Sequence, residues 1–312
     1  MFRYVEKKSL QGGVPMITVS GLTLTYSSGK GVFDLNFTVP KGVVMGYLGP
    51  NGAGKTTTLR ALLGFMRPNS GKCSIGELDC VEQAPLIQKK LGYIPGEISF
   101  PDNMNGDEFL SFMSAMRGTV STERKNKLLE MLELDPKGRI KKFSKGMKQK
   151  LGIVAAFMHD PEILILDEPT SGLDPLMQNR FTELILSEKA NGKTILMSSH
   201  IFEEVEKVCD SVLIIRDGRI VEQSDVQKLK DEQRRVFVLK PGEPDVAAGI
   251  LKAAGFDMRF EQNGMLEVFV SGEKVDSFVK TAAKFTVLNL SVKQQSLEDI
   301  FINYYGKEEQ KS

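Results

Sequence analysis

The feature that most constrains the fold of this chain is a glycine-rich segment, Gly49-Pro50-Asn51-Gly52-Ala53-Gly54-Lys55-Thr56. The segment fits the phosphate-binding loop pattern G-x-x-x-x-G-K-[ST] at every position. Its glycines allow the backbone to turn so that several N–H groups point into one concavity, which suits an anion. Because this loop connects a buried strand to a helix, it predicts an α/β fold built around bound phosphates.

The residues on either side of the loop fit that architecture. Residues 43–48 have the apolar character of a buried strand, and residues 56–66 that of the following helix. Such a helix directs its N-terminal dipole and its free N–H groups at the phosphates. Lys55 can reach the outer phosphates of a nucleotide, the Thr56 hydroxyl can hold Mg²⁺, and Thr57 belongs to the same predicted nucleotide site.

Composition excludes several classes of protein. The 312 residues suffice for two domains, and the net charge of +1 argues against a nucleic-acid partner bound by electrostatics. No apolar run approaches the ~20 residues needed to cross a bilayer, so any membrane spans must come from a partner. The three cysteines do not form a metal-binding pattern and are expected to be reduced thiols.

A second cluster of candidate site residues follows the continuous apolar run at residues 163–166. Asp167 and Glu168 come directly after this predicted buried strand. Open α/β sheets place ligands at the carboxyl ends of such strands. Asp167 is suited to hold Mg²⁺ through water, and Glu168 to polarise a water for attack on the γ-phosphate. The predicted ligands are therefore a nucleotide with a γ-phosphate and Mg²⁺, and which nucleotide is bound is left open by these residues.

Periodicity predicts the fold class. Residues 17–39 alternate between apolar and polar and indicate antiparallel strands, whereas residues 107–157 have a helical pattern. The remaining strands and helices alternate, which indicates an α/β sandwich with a largely parallel core sheet and a helical insertion. One apolar stripe of the insertion is expected to lie in the core, namely Phe109, Phe112, Met113 and Met116.

The character of the sequence changes after about Asp225. Residues 228–235 are charged and are expected to form a linker. The order strand, helix, strand, strand, helix, strand follows over residues 236–292, which resembles a split-βαβ, ferredoxin-like module. Ser296 is predicted to cap a last helix whose apolar face carries Leu297, Ile300, Phe301 and Tyr304.

Three further segments, taken together with the phosphate-binding loop and Asp167-Glu168, make the chain resemble a known family. They read Phe143-Ser144-Lys145-Gly146-Met147, Ser171-Gly172-Leu173-Asp174 and Ser198-Ser199-His200. In this order they resemble the ATPase subunit of ABC transporters, over residues 16 to about 223. The resemblance implies a P-loop NTPase sandwich with an antiparallel β subdomain and a helical insertion, followed here by a small α+β C-terminal domain.

The resemblance also implies roles for individual residues. Tyr26 looks like the aromatic residue that stacks on adenine, and His200 like the switch histidine, a catalytic residue that contacts the γ-phosphate. Asp174 looks like the D-loop aspartate, which links two sites across a dimer. The segment that contacts the γ-phosphate on the opposite subunit would be Ser144, Lys145, Gly146 and Met147.

Two departures from the family pattern bear on function. The family signature is LSGGQ, whereas this chain has Lys145 at the first of the two glycines and Met147 at the glutamine. The family also places a Mg²⁺-sensing glutamine where this chain has Gly96, so either Glu97 substitutes or the contact is lost. These departures, and the ending at residues 296–301, resemble the antibiotic- and multidrug-efflux branch.

The expected function is ATP hydrolysis that powers a membrane transporter, with export of drugs, antibiotics or lipids favoured. The expected partners are a second copy or a related ATPase subunit and a multi-span permease, which would hold the chain at the cytoplasmic face of the membrane. An importer subunit and a non-transport ABC ATPase acting on ribosomes or DNA are the alternatives. The expected domains are a tail at 1–15, an ATPase domain at 16–225 with its helical part at about 97–157, and an accessory domain at 226–312.

Overall fold

The computed structural model describes residues 14–101, 103–118, 120–231, 235–261, 264–271 and 274–293. The chain divides into two compact units, Met1–Asp225 and Val226–Ser312. Among the described helices, none has the length and the apolar composition that crossing a bilayer requires.

The first unit begins with an antiparallel pair of strands, β1 (Pro15–Thr25) and β2 (Gly31–Pro40). β3 (Val44–Leu48) then enters a second sheet, and the phosphate-binding loop leads from it into α1 (Lys55–Leu62). β4 (Ser70–Ile75) and β5 (Leu78–Asp79) return to the first sheet, whose order is β2-β1-β4-β5. The antiparallel layer predicted from residues 17–39 is confirmed.

The second sheet is largely parallel, as predicted, and it carries the candidate site at its carboxyl edge. After α2 (Ala84–Lys90), it receives β6 (Leu91–Ile94). The later elements of this unit are β7 (Ile163–Asp167), α6 (Pro175–Ala190), β8 (Thr194–Ser199), α7 (Phe202–Val208), β9 (Ser211–Arg216) and β10 (Arg219–Asp225). The order in the sheet is β10-β9-β3-β8-β7-β6, and of these described strands only the edge strand β10 is antiparallel to its neighbour.

A helical insertion separates β6 from β7. It consists of α3 (Gly106–Arg117), α4 (Thr122–Met131), a short 3₁₀ turn at Ile140–Lys142 and α5 (Lys145–Phe157). Asn105 starts α3 with a capping box, because its side chain accepts from the Glu108 N–H while the Glu108 carboxylate accepts from the Asn105 N–H. This reciprocal pair satisfies two N–H groups that a helix end otherwise leaves free.

The prediction that the apolar stripe of α3 lies in the core is wrong for two of its four residues. Phe112 is 46% exposed and Met116 is 65% exposed, whereas Phe109 packs edge-to-face on Phe100. Helical periodicity shows which side chains share a face, but not whether another element covers that face. The stripe is therefore only partly buried within this chain.

The core of the first unit joins both sheets through α1. Buried side chains from the antiparallel sheet, from α1 and from the parallel sheet form one cluster that includes Leu24, Val32, Tyr47, Leu59 and Leu213. β3 and β7 are buried along their whole length because helices or the other sheet cover both faces. The cluster holds the end of β3, and with it the phosphate-binding loop, in a fixed position.

The second unit is a four-stranded antiparallel sheet with helices on one face. Its elements are α8 (Val226–Asp231), β11 (Arg235–Pro241), α9 (Pro244–Ala253), β12 (Asp257–Phe260), β13 (Leu266–Val270), α10 (Val275–Ala282) and β14 (Val287–Lys293). The order in the sheet is β12-β13-β11-β14. After α8, the sequence of elements matches the predicted one, and Phe237, Leu251, Phe256 and Phe278 are part of its core.

Two predicted boundaries are wrong. The helix expected at residues 56–66 ends at Leu62, because Gly64 takes a left-handed conformation with φ +69°. The charged segment expected to be a linker at residues 228–235 instead begins inside α8, where Val226 and Leu229 are both buried at helical spacing. The helix predicted to begin at Ser296 lies outside the described residues.

Candidate nucleotide site

The phosphate-binding loop runs from the end of β3 to the start of α1, as the sequence predicts. Gly54, at the N-cap of α1, has φ +111°, and a Cβ added to it would lie 2.5 Å from Val32 Cγ1. A Cβ on Gly49 would lie 2.4 Å from the Ile215 carbonyl oxygen. Only glycine fits at these two positions, since one needs a left-handed backbone and both are approached closely. No side chain caps α1, so its first N–H groups are left to a ligand.

Lys55 lies under the loop with its ammonium group held inward. The side chain is 6% exposed, and Nζ donates to the Gly49 carbonyl at 2.6 Å and to the Pro50 carbonyl at 3.3 Å. Nζ also lies 3.2 Å from Glu168 Oε1. The loop thus contains a buried positive charge, while Asn51 and Gly52 at its tip are exposed and Ala53 is buried against the core.

Asp167 ends β7 as a fully buried carboxylate with two hydrogen-bond donors. The Thr56 hydroxyl donates to Oδ2 at 2.7 Å, and the Ser198 hydroxyl donates to Oδ1 at 2.5 Å. These bonds join the end of β7 to α1 and to β8. The two predicted Mg²⁺ ligands, Thr56 and Asp167, are therefore brought together. Among the described residues, no group of three or more His, Cys, Asp or Glu side chains could hold a metal.

Glu168 lies between a lysine and a histidine. Its Oε2 is 2.6 Å from His200 Nδ1, and its Oε1 is 3.2 Å from Lys55 Nζ. The backbone at Glu168 is left-handed, with φ +48°, which is uncommon for a residue other than glycine. Such strain persists only where surrounding contacts hold the residue, and it is concentrated at functional sites. The Glu168 N–H is held by the Ser198 carbonyl at 3.2 Å.

Tyr26 is brought to the edge of the same site. Its hydroxyl lies 3.3 Å from the Thr57 hydroxyl and 3.4 Å from Met66 Sδ, and its side chain is half-buried. The aromatic ring therefore lies beside the first turn of α1, within reach of a base whose phosphates occupy the loop. Its predicted stacking role stays a prediction.

The remaining predicted residues are not brought to the phosphate-binding loop in this chain. Ser144 caps α5, and Asp174 caps α6 by accepting from the Met177 N–H at 3.0 Å. Lys145, Gly146 and Met147 follow in the first turn of α5, and no hydrogen bond or ion pair among the described residues joins them to residues 49–57. Lys145 instead contacts Ser171 in the loop that follows β7.

Gly96 lies against Asp167, at the position where the family has a glutamine. A Cβ added to Gly96 would lie 3.1 Å from Asp167 Oδ2. Glu97 is exposed and forms no hydrogen bond or ion pair within the described part of the chain. Tyr93, two residues before Pro95, is half-buried nearby; burial, and next the charge of Asp167, raise its pKa to about 12. This phenol therefore remains neutral beside the carboxylate.

Two contributors to the site are not among the residues predicted from sequence. Ser198 both donates to Asp167 and accepts from the Glu168 N–H at 3.1 Å, so one hydroxyl fixes both acidic residues. Glu204 accepts from Thr170 at 2.6 Å and from Ser199 at 2.9 Å, which fixes the loop after Glu168 to α7. The motif Ser198-Ser199-His200 contains the signal for the serine, but only the sheet order shows that β8 lies next to β7.

This arrangement has the parts needed for phosphoryl transfer to water. A helix N-terminus and a buried lysine form the cradle for phosphates. The Thr56 hydroxyl and the Asp167 carboxylate are in contact, and a second carboxylate, Glu168, contacts both the lysine and a histidine. In phosphoryl transfer, positioning and electrostatic stabilisation provide most of the catalysis.

Comparisons with known proteins show which family and which solved folds this chain is similar to. The family described as "ABC transporter" matches residues 32–171. The bacitracin transport ATP-binding protein BcrA of Bacillus licheniformis is 36% identical over an alignment of 304 positions, and the match covers 93% of this chain and 97% of that protein. A solved ATP-binding subunit of an ABC transporter is 31% identical, with a TM-score of 0.64 over 69% of this chain and 92% of that one. A dimeric bacterial ABC transporter cassette is 21% identical and shares the fold, with a TM-score of 0.62 over 68% of this chain and 99% of that one.

Proposed function

Because the chain belongs to the ABC transporter family as an ATP-hydrolysing subunit, we propose that it powers export of an antibiotic, drug or lipid through a membrane partner. Its similarity to a protein named for bacitracin transport extends over almost the full length of both chains. The departures at Lys145, Met147 and Gly96 add support, since they resemble the efflux branch. Bacitracin is an antibiotic, so this substrate class fits both observations.

One observation carries the catalytic part of the proposal: Lys55, Thr56, Asp167 and Glu168 converge at contacts of 2.7 to 3.2 Å. Lys55 would neutralise the outer phosphates of ATP, and the N-terminus of α1 would bind them through its N–H groups. Glu168 would orient a water for in-line attack and accept its proton. His200, 2.6 Å from Glu168, would orient that carboxylate and contact the γ-phosphate.

The residues also fit a magnesium ion. Mg²⁺ prefers hard oxygen ligands, dehydrates reluctantly and is held by one or two carboxylates together with substrate phosphates. Thr56 and Asp167 provide a hydroxyl and a carboxylate whose oxygens are 2.7 Å apart. When bound, the ion would neutralise charge on the phosphate oxygens. Ser198 would keep Asp167 oriented through its 2.5 Å hydrogen bond.

We further propose that the complete ATP site needs a second subunit. Ser144 to Met147 lie at the start of α5, where Lys145 and Gly146 contact the loop after β7 and not the phosphate-binding loop of the same chain. In a dimer they would face the partner's γ-phosphate, with Tyr26 on the adenine of the chain's own nucleotide. The partner is a second copy or a related subunit. ATP would then shift the population towards a closed dimer, by as much as it binds the closed form better.

The membrane partner would contact the helical insertion. Phe112 and Met116 on α3 are large, apolar and exposed, which is typical of side chains that another protein covers. A permease bound there would place the chain at the cytoplasmic face of the membrane. The ATPase domain would be residues 16–225, with residues 1–15 as a tail and residues 226–312 as an accessory domain of ferredoxin-like type.

The direction and class of cargo can be tested by deleting the gene and measuring growth inhibition by a panel of peptide antibiotics, detergents and dyes. Loss of an exporter raises susceptibility and cellular accumulation of its cargo, and the wild-type chain restores resistance whereas Lys55→Ala does not. Reduced susceptibility on deletion would instead indicate import. A pull-down from detergent-solubilised membranes should recover a multi-span protein; recovery of ribosomes or DNA alone would overturn the transport role.

A further inference from the structure

Lys145 makes a contact that a glycine at its position could not make. It is the first residue of α5, and its Nζ donates to the Ser171 hydroxyl at 3.1 Å. The stem of the same side chain lies along Gly172, since a Cβ added to Gly172 would be 3.0 Å from Lys145 Cγ and Cδ. Both the head and the stem of Lys145 therefore lie on the loop that follows β7.

Two neighbours in α5 contact the same loop. A Cβ added to Gly146 would lie 2.9 Å from the Gly172 carbonyl oxygen, so the two backbones are close. Gln149 is 4% exposed, and its Nε2 donates to the Pro169 carbonyl at 2.6 Å. We call this set of contacts the signature joint, formed by Lys145, Gly146 and Gln149 on α5 and by Pro169, Ser171 and Gly172 in the loop.

The loop side of the joint continues directly into Glu168. The Ser171 N–H donates to the Glu168 carbonyl at 3.1 Å, which closes a turn. The backbone of Glu168 is left-handed, so the direction of its side chain depends on this turn. A displacement of Ser171 would therefore change how Glu168 meets Lys55 and His200.

We propose that Lys145 is a positioning residue that couples the two ATP sites of the dimer. This inference rests on the proposed function, in which α5 faces the partner's nucleotide while Glu168 acts on the chain's own. When the start of α5 moves onto the partner's γ-phosphate, Lys145 would displace Ser171, and Ser171 would in turn displace Glu168. ATP bound at each site would then orient the catalytic base, Glu168, of the other site. This reciprocal effect is a coupling free energy between the two sites.

The test compares variants of the full chain in which only the polar contact is removed. Lys145→Met keeps an apolar stem over Gly172 but removes the donor, and Ser171→Ala removes the acceptor. Each is expected to lower kcat by roughly two- to tenfold, the range that a single hydrogen bond supports. The ATP dependence should also lose cooperativity, and the double variant should be no slower than either single variant. Lys145→Arg keeps a donor at this position and should therefore retain most of the wild-type kcat that Lys145→Met loses.

Three outcomes are decisive. Non-additive effects with rescue by Lys145→Arg would support the coupling. Additive effects, or a Ser171→Ala variant with wild-type kcat and cooperativity, would overturn it, because Lys145 would then act without Ser171. Binding of a fluorescent ATP analogue to Lys55→Ala serves as the separate check on the proposed function. Unchanged affinity there would exclude the proposed role of Lys55 in phosphate binding, and with it the ATP site on which this inference rests.

Discussion

Asp167 and Glu168 are adjacent but contact different groups, and this difference suits them to the different roles proposed for them. Asp167 is fully buried between two hydroxyl donors, whereas Glu168 is partly open and lies between Lys55 and His200. A carboxylate held by hydrogen bonds suits a fixed ligand, and a carboxylate at an open edge suits proton transfer. At the residue scale, the hydrogen-bond and ion-pair partners of each carboxylate therefore decide which chemistry it suits.

Replacing Glu168 by Gln tests its role as the base. The amide keeps the shape but cannot accept the proton, so kcat is expected to fall by about 100-fold or more while ATP binding persists. The variant should then accumulate as a dimer on size exclusion in ATP. Glu203→Gln, an exposed position on α7, is the matched control. Near wild-type phosphate release by Glu168→Gln would exclude this residue as the base.

Ser198 and Ser199 form a natural pair of variants for testing the proposed Mg²⁺ site. Both are fully buried, but Ser198 donates to Asp167 and Ser199 donates to Glu204. Loss of a hydrogen bond behind a metal ligand typically costs 10- to 100-fold in metal affinity or activity. Ser198→Ala is expected to raise the Mg²⁺ concentration for half-maximal ATPase activity by at least about tenfold, and Ser199→Ala is not. Equal shifts would show that Ser198 does not orient Asp167.

At the scale of elements, the helical insertion is attached to the ATPase core by an ion pair of unusual burial. Arg124 on α4 lies 2.6 Å from Glu188 on α6, and Glu188 is 2% exposed. Arg124 also donates to the Phe157 carbonyl at 2.9 Å. A buried carboxylate is costly without its partner, so this pair fixes where α4 can lie.

Arg124→Met is therefore expected to lower the free energy of unfolding by about 3 kcal/mol, because it leaves Glu188 buried and unpaired. The double variant Arg124→Met/Glu188→Met should recover most of this loss. Arg180→Met is the control, since its partner Glu133 is largely exposed, and a loss of about 1 kcal/mol or less is expected. Urea denaturation measures all three. A double variant less stable than Arg124→Met would contradict the explanation.

The exposed side chains of α3 lead to a prediction about binding. Phe112→Ser with Met116→Ser removes two large apolar groups that contribute little to the core. The double variant is expected to keep its melting temperature within a few degrees and its ATP affinity unchanged, but to recover at least about tenfold less membrane partner. The control is the exposed Val221 on β10, replaced by Ser. Full recovery of the partner by the α3 variant would exclude this surface.

At the scale of the whole molecule, stability should depend on pH through His159. Burial, and next the positive charge of Arg117, lower the pKa of this imidazole from 6.5 to about 4. The unfolded chain therefore binds a proton between pH 6.5 and 4 that the folded chain does not. The contribution of His159 to the free energy of unfolding is fully present above pH 6.5 and is lost as pH falls from 6.5 to about 4.

Denaturation midpoints measured from pH 7.5 to 4 check this dependence. The contribution of His159 to the slope cannot exceed about 1.4 kcal/mol per pH unit, the limit for one proton. His159→Gln should have a flatter profile between pH 6.5 and 4 than the wild type. Asp79 has a lowered pKa whose causes do not include His159, so its effect lies below about pH 4 and is common to both proteins, whereas the lowered pKa of Asp160 depends mainly on Lys193 and in part on His159. Parallel profiles in the window would exclude His159 as the cause.

Much of the fold and of the site could be predicted because the decisive signals are local. The phosphate-binding loop and the strand before Asp167 depend on neighbouring residues, and backbone preferences at glycine or in an apolar run act over that range. The outcome at Phe112 and Met116 shows the limit. Their helical spacing correctly places them on one face of α3, but their exposure depends on which element packs against that face.

Sequence by itself therefore determined the nucleotide class, the sheet type and the residues at each strand end. Only the tertiary structure decided which of these residues meet. Ser198 reaches Asp167 across 31 residues because β8 lies beside β7, and Lys145 reaches Ser171 across 26 residues because α5 starts against that loop. Such contacts follow from strand order and packing, which bring distant residues together only when the whole core forms.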